Sequence, residues 1–142
     1  NREYLQCLGE AAYLLPGAEA LCRALAGPCS LAIVTNGVAL AQRSRFQASP
    51  LKEVIPWLFI SEEIGAGKPD PAFFRAVFRE LGITEPGRVL MVGDNLLTDI
   101  KGGLSAGTDT AWYNPHGLPA AGGITPTYEI ASYSELEALV LG

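Results

Sequence analysis

Three short stretches of this 142-residue sequence hold residue types that handle an oxyanion or a cation. Thr35-Asn36-Gly37 sets a hydroxyl, a backbone amide and a permissive glycine between an apolar run and a helical pattern. That combination suits an oxyanion cradle at a helix N-terminus, and equally a plain strand-to-helix turn. Gly65-Ala66-Gly67-Lys68-Pro69-Asp70-Pro71 holds Lys68 between a glycine turn and a proline, which limits where its ammonium can point. It is no P-loop, lacking both the four-residue spacer and a Ser/Thr after the lysine, and a solvated surface lysine is the alternative. Gly93-Asp94-Asn95-Leu96-Leu97-Thr98-Asp99 puts two carboxylates five residues apart across a turn, so both can face one point. Magnesium takes one or two protein carboxylates, several waters and a phosphate, and would suit such a pair. The other reading is that Asp94, Asn95 or Thr98 caps the following helix.

Positioning these groups needs strands that end where they lie. Leu31-Ala32-Ile33-Val34 and Arg88-Val89-Leu90-Met91-Val92 are apolar runs closed by Thr35-Asn36-Gly37 and Gly93-Asp94-Asn95, and both predict strands buried on two faces. Further strands are predicted at 57–60, 110–113 and 128–131. Helical spacing falls at 17–25, 39–47, 71–81, 99–106 and 134–140, with Gly82 and Gly107 as C-terminal stops and Ser134 with Glu137 as a capping box. Strand alternating with helix predicts an α/β fold, a doubly wound parallel sheet whose ligand site lies beyond the carboxyl ends of its strands. Residues 1–13, with Tyr4, Leu5, Leu8, Ala11 and Ala12, read as one amphipathic helix with no strand before it.

Composition limits the partners. A net charge of −5, with no basic patch, excludes an ordinary nucleic-acid surface. No apolar stretch reaches the roughly 18 residues of a membrane helix. The three cysteines, Cys7, Cys22 and Cys29, show no C-x-x-C spacing and suit buried thiols in a reducing compartment, so the expected location is the cytoplasm. His116 reads as a solvated loop residue, and Trp112 and Tyr113 as packing residues.

In this order, the three stretches resemble motifs two, three and four of the haloacid dehalogenase superfamily, over about residues 14–142. Ile33-Val34-Thr35-Asn36-Gly37, Ser61-Glu62-Glu63-Ile64-Gly65, Gly67-Lys68-Pro69, Val92-Gly93-Asp94 and the stretch from Trp112 to Pro115 look most like the pyrimidine 5′-nucleotidase branch. The resemblance implies a magnesium-dependent phosphohydrolase acting on a small phosphorylated metabolite, such as a nucleoside monophosphate, through an aspartyl-phosphate. Thr35, with the Asn36 amide and Gly37, would bind the phosphoryl group. Lys68 would neutralise that group and the nucleophile, and Asp94 would bind Mg2+. Asp99 would assist through a metal-bound water or a hydrogen bond to Lys68.

One departure is large. The family's first motif, an Asp-x-Asp on its first strand, has no counterpart among Asp70, Asp94, Asp99 and Asp109. The resemblance therefore implies that the nucleophile and the central first strand come from an N-terminal segment of the same polypeptide outside this chain. It also implies that residues 1–13 are the last helix of a cap domain and that 14–142 are the catalytic core. Between the strands ending at Thr35 and Val92 it predicts a gap of about 10 Å, two strand spacings. Rival readings are a 2-haloacid dehalogenase or a sugar-phosphate mutase of the same superfamily, and a truncated, non-catalytic core acting as a binding module.

Overall fold

The computed structural model describes residues 4–9 and 16–142. Six strands form one fully parallel sheet: β1 Gln6–Gly9, β2 Ser30–Thr35, β3 Trp57–Ile60, β4 Val89–Gly93, β5 Asp109–Tyr113 and β6 Tyr128–Ile130. Their order is β3-β2-β1-β4-β5-β6, so the chain winds outward in both directions from the centre. The helices are α1 Ala18–Leu25, α2 Ala39–Gln47, α3 Ser61–Ile64, α4 Pro71–Leu81, α5 Lys101–Ser105 and α6 Tyr133–Leu141.

The apolar runs fold as strands because each serves two cores at once. In β2, Leu31 and Ile33 enter the cluster holding Leu21 and Leu25 of α1 and Leu136 of α6. Ala32 and Val34 enter the opposite cluster, with Phe73, Phe74 and Val77 of α4. β4 divides in the same way, Leu90 to one side and Val89 and Met91 to the other. Helices thus cover both faces of a sheet whose central strands are apolar throughout.

The centre of the sheet corrects the sequence reading. A slot one strand wide does lie between β2 and β4, but Gln6–Gly9, expected to be helical, occupies it as β1. Cys7 pairs with Leu31 on one side and Leu90 on the other. The apolar spacing from Tyr4 onward fits a helix, yet an empty slot would strand the backbone groups of two buried strands at about 1–3 kcal/mol each. Satisfying both ladders outweighs local periodicity. The central strand is therefore present among the described residues, and it contributes no aspartate. The rest of the expected helix, 1–3 and 10–13, lies outside them.

Smaller differences are local. The final helix is capped by Ser132, which accepts from Glu135 N at 3.2 Å, and not by Ser134. The stretch expected as a helix at 99–106 opens instead with a π-helical turn, Leu96–Ile100, before α5. Tyr4, 2% exposed, donates to Asp109 Oδ2 at 2.5 Å and so ties the amino end of β1 to β5. Cys7 and Cys29 are buried, and none of the three cysteines forms a disulfide.

Two measurements test this packing. Leu90→Ala at the sheet centre is expected to cost about 2–5 kcal/mol in urea unfolding, while Leu40→Ala, on a side chain 78% exposed, changes stability by less than about 0.5 kcal/mol. Burial pushes the Cys22 thiol from 9.0 up to about 11. The unfolded chain ionises first, so stability is full below pH 9 and falls as pH rises from there to about 11. With Cys22 partly exposed, the loss is about 1–2 kcal/mol, and Cys22→Ala should flatten that part of the profile.

Candidate active site

The sheet orders its loops by where the strands end. β1 stops at Gly9, level with Ile33 and Val92, while β2 runs on to Thr35 and β4 to Gly93. The turns after β2 and β4 therefore face each other across the end of β1, at the point where the winding direction reverses. Lys68 arrives from a third loop, between α3 and α4.

Lys68 is not a solvated lysine. It is 3% exposed, and its ammonium donates to Asp99 Oδ1 at 2.7 Å and to the Val34 carbonyl at 3.1 Å. Asp99 is fully buried. Its second oxygen, Oδ2, accepts from Asn95 N at 3.2 Å. The π-helical turn carries Asp99 back against β4, and Gly93 makes room for it: a Cβ there would land on the Asp99 carboxylate. Gly93 is thus required by close approach rather than by its backbone angles.

Asp94 and Asp99, expected to share one point, have different surroundings. Asn95 takes the capping task, its Oδ1 accepting from Leu97 N at 2.9 Å and Thr98 N at 3.2 Å. Asp94 is left exposed, and its carboxylate has no hydrogen-bond partner among the described residues. Its backbone is held from behind, since the buried Trp112 ring N–H donates to the Asp94 carbonyl at 3.0 Å. That anchoring role for Trp112 has no signal in the sequence, where an indole after an apolar run reads as packing.

The Thr35 turn keeps part of its expected character. Thr35 is 2% exposed at the end of β2. The helix N-terminus behind it is not an open cradle: Gly37 N donates to Ser61 Oγ at 3.1 Å and Ala39 N to Glu62 Oε1 at 2.9 Å. Gly37 therefore spends its amide on α3 and not on an anion. The Asn36 side chain also turns to the protein: Oδ1 accepts from Lys68 N and Nδ2 donates to the Lys68 carbonyl, each at 2.9 Å. Asp70 caps α4 through Ala72 N, Asp109 sits at the opposite end of the sheet, and His116 is exposed.

No cluster of three or more His, Cys, Asp or Glu side chains that could enclose a metal occurs among the described residues. Among the described residues, Asp94 offers a free carboxylate at the strand ends.

Residues 1–107 match the haloacid dehalogenase-like hydrolase family. The chain belongs to that family. It is 37% identical over 140 residues to pyrimidine 5′-nucleotidase YjjG of Escherichia coli, covering 99% of this chain and 62% of that protein. Among solved structures it resembles the HAD-hydrolase YfnB of Bacillus subtilis, described as bound to magnesium. The TM-score is 0.85 and the identity 39%, over 89% of this chain and 55% of that one. A 2-haloacid dehalogenase from Pseudomonas syringae matches with a TM-score of 0.76 and 31% identity, over 89% of this chain and 52% of that one. The haloacid dehalogenase-like chain thus spans between about half and three-fifths of the length of these relatives.

The Gly93 contact gives a test of the buried pair. Gly93→Ala should displace Asp99 and leave the Lys68 ammonium without its carboxylate, lowering stability in urea by about 3–5 kcal/mol. A loss below about 1 kcal/mol, or the small gain that an unobstructed Gly→Ala change gives, would show that Asp99 and Gly93 are not in contact.

Proposed function

We propose that this chain is the core of a magnesium-dependent phosphohydrolase acting on small phosphate monoesters, nucleoside monophosphates foremost. The carrying observation is the division between Lys68–Asp99, a buried and preorganised cation, and Asp94, an exposed and unpaired carboxylate beside it. The likeness to YjjG supports the nucleotidase branch.

In this reading the nucleophilic aspartate lies in an N-terminal segment of the same polypeptide, outside this chain. It attacks phosphorus, the ester oxygen leaves, and water then hydrolyses the aspartyl-phosphate. Thr35 supplies its hydroxyl to the phosphoryl oxygens. Lys68, fixed by Asp99 and the Val34 carbonyl, offsets the negative charge gathering between nucleophile and phosphate. Mg2+ suits this donor set as a partly hydrated ion: Asp94 would hold it with one carboxylate, and waters and the phosphate would supply its other oxygen ligands. When bound, the ion neutralises phosphoryl charge. Asp99 acts on Lys68 and not on the ion, because both its oxygens are occupied within the protein.

A 2-haloacid dehalogenase shares the fold, but halide displacement has no use for a free acid at Asp94. A non-catalytic binding module would need neither Asp94 unpaired nor Lys68 preorganised.

Two variants of the complete polypeptide decide between these readings with an aryl phosphate or a nucleoside monophosphate. Asp94→Asn should abolish magnesium-dependent hydrolysis while leaving the thermal transition in place, the side chain being exposed. Activity unchanged at limiting magnesium would remove Asp94 from the metal site. Lys68→Ala should lower turnover by roughly 10²- to 10³-fold, against little change for Lys101→Ala on the exposed start of α5.

A further inference from the structure

We propose that Asn36 is a positioning residue for Lys68, acting through the backbone of Lys68 and not through the substrate. The inference rests on the function proposed above only for its consequence, since the geometry stands without it.

An amide side chain can accept from a peptide N–H and donate to a peptide carbonyl of the same residue at once. Asn36 does both, with Lys68 N and the Lys68 carbonyl each at 2.9 Å. It thereby reads the Lys68 backbone as a strand neighbour would, and fixes both peptide groups flanking the Cα from which the long side chain departs. The far end of that side chain is already held, by Asp99 and by the Val34 carbonyl. Val34 and Asn36 lie two residues apart at the end of β2, so the same stretch of backbone grips Lys68 at its root and at its tip.

The neighbouring loop is shaped around this clamp. A Cβ on Gly67 would meet Asn36 Oδ1 at 3.0 Å and the Ser61 Cβ at 3.3 Å, so a side chain there would press on the amide. Ser61 in turn accepts from Gly37 N, which holds the turn that presents Asn36. An unconstrained lysine loses considerable rotamer freedom when it is pinned, and fixing its backbone beforehand reduces what must be ordered when a phosphate arrives. Asn36 is itself exposed, so its conformation is set by these two hydrogen bonds and not by packing.

The test reads Lys68 directly. In the complete polypeptide labelled with 15N-lysine, a fully buried ammonium bonded to a carboxylate gives a slowly exchanging side-chain signal, assigned by its disappearance in Lys68→Met. In Asn36→Ala, and in Asn36→Ser as a second variant, that ammonium should exchange with water at least about tenfold faster, the effect of losing one to two hydrogen bonds. Glu63→Gln serves as the control. It breaks the exposed Arg43–Glu63 pair linking α2 to α3, with Arg43 Nη2 to Glu63 Oε1 at 2.6 Å, and leaves the clamp intact. Its Lys68 signal should match the parent. Unchanged exchange in both Asn36 variants would overturn the proposal, as would equal acceleration in Glu63→Gln, which would mark general loosening of the loop. Hydrolysis measured on the same samples reports on the function separately: an inactive parent with a responsive Lys68 signal removes the phosphatase reading and keeps the clamp.

Discussion

The Lys68–Asp99 pair is the constraint around which the carboxyl edge of the sheet is arranged. Removing an ammonium and a carboxylate from water costs several kcal/mol per ion, and their attraction repays this only when the remaining hydrogen-bonding capacity is also met. Here it is met by the Val34 carbonyl at the end of β2 and by the Asn95 amide and the Thr98 hydroxyl in the turn after β4. With Lys68 itself on the loop before α4, the pair cross-links the end of β2, that loop and the π-helical turn. Stability and preorganisation are the same interaction seen from two sides. The residues that make the burial tolerable also remove the freedom of the cation.

The pair presupposes a sheet whose strands are in register at that level, and this makes the centre of the sheet matter. β2 and β4 hold the two sides of the site but do not touch each other; each hydrogen-bonds to β1. A strand of four residues is enough to fix their spacing, because its backbone completes a ladder on both sides. Its last described residue, Gly9, pairs with Ile33 and Val92, short of the level of Thr35 and Gly93. In the proposed enzyme the attacking carboxylate must reach the level of Thr35, Lys68 and Asp94.

Much of this was legible in the sequence where the determinants are local. Continuous apolar runs in β2 and β4 and the Gly82 stop of α4 are each set by neighbours in the chain, and each forms as expected. Thr35 and Asp94 stand out in the sequence as polar types closing apolar runs, Asp99 by its spacing from Asp94, and Lys68 by its place between a glycine turn and Pro69. Gln6–Gly9 failed because the spacing from Tyr4 to Ala12 contains a helical pattern, while the force that makes a strand of it comes from two distant ladders. The fate of the Gly37 amide was equally unreadable, since Ser61 lies 24 residues away and has no reason in sequence to seek it. Hydrogen bonds between loops depend on the fold having already brought those loops together.

The two acids of the last motif show how far such non-local effects reach. In sequence Asp94 and Asp99 look equivalent, and either suits a metal. What separates them is the residue between. Asn95 caps the turn with its side chain and gives its backbone amide to Asp99, so the acid that follows is drawn inward while the one before it is relieved of capping. Gly93 then leaves the volume that the inward acid needs. Once buried, Asp99 must find a cation, and Lys68 is the one placed to meet it. Asp94, its carbonyl held by Trp112 and its carboxylate without a partner among the described residues, stays turned to solvent. A single turn thus converts two like carboxylates into one that organises a lysine and one that remains open to a ligand, and that asymmetry is what the proposed chemistry requires.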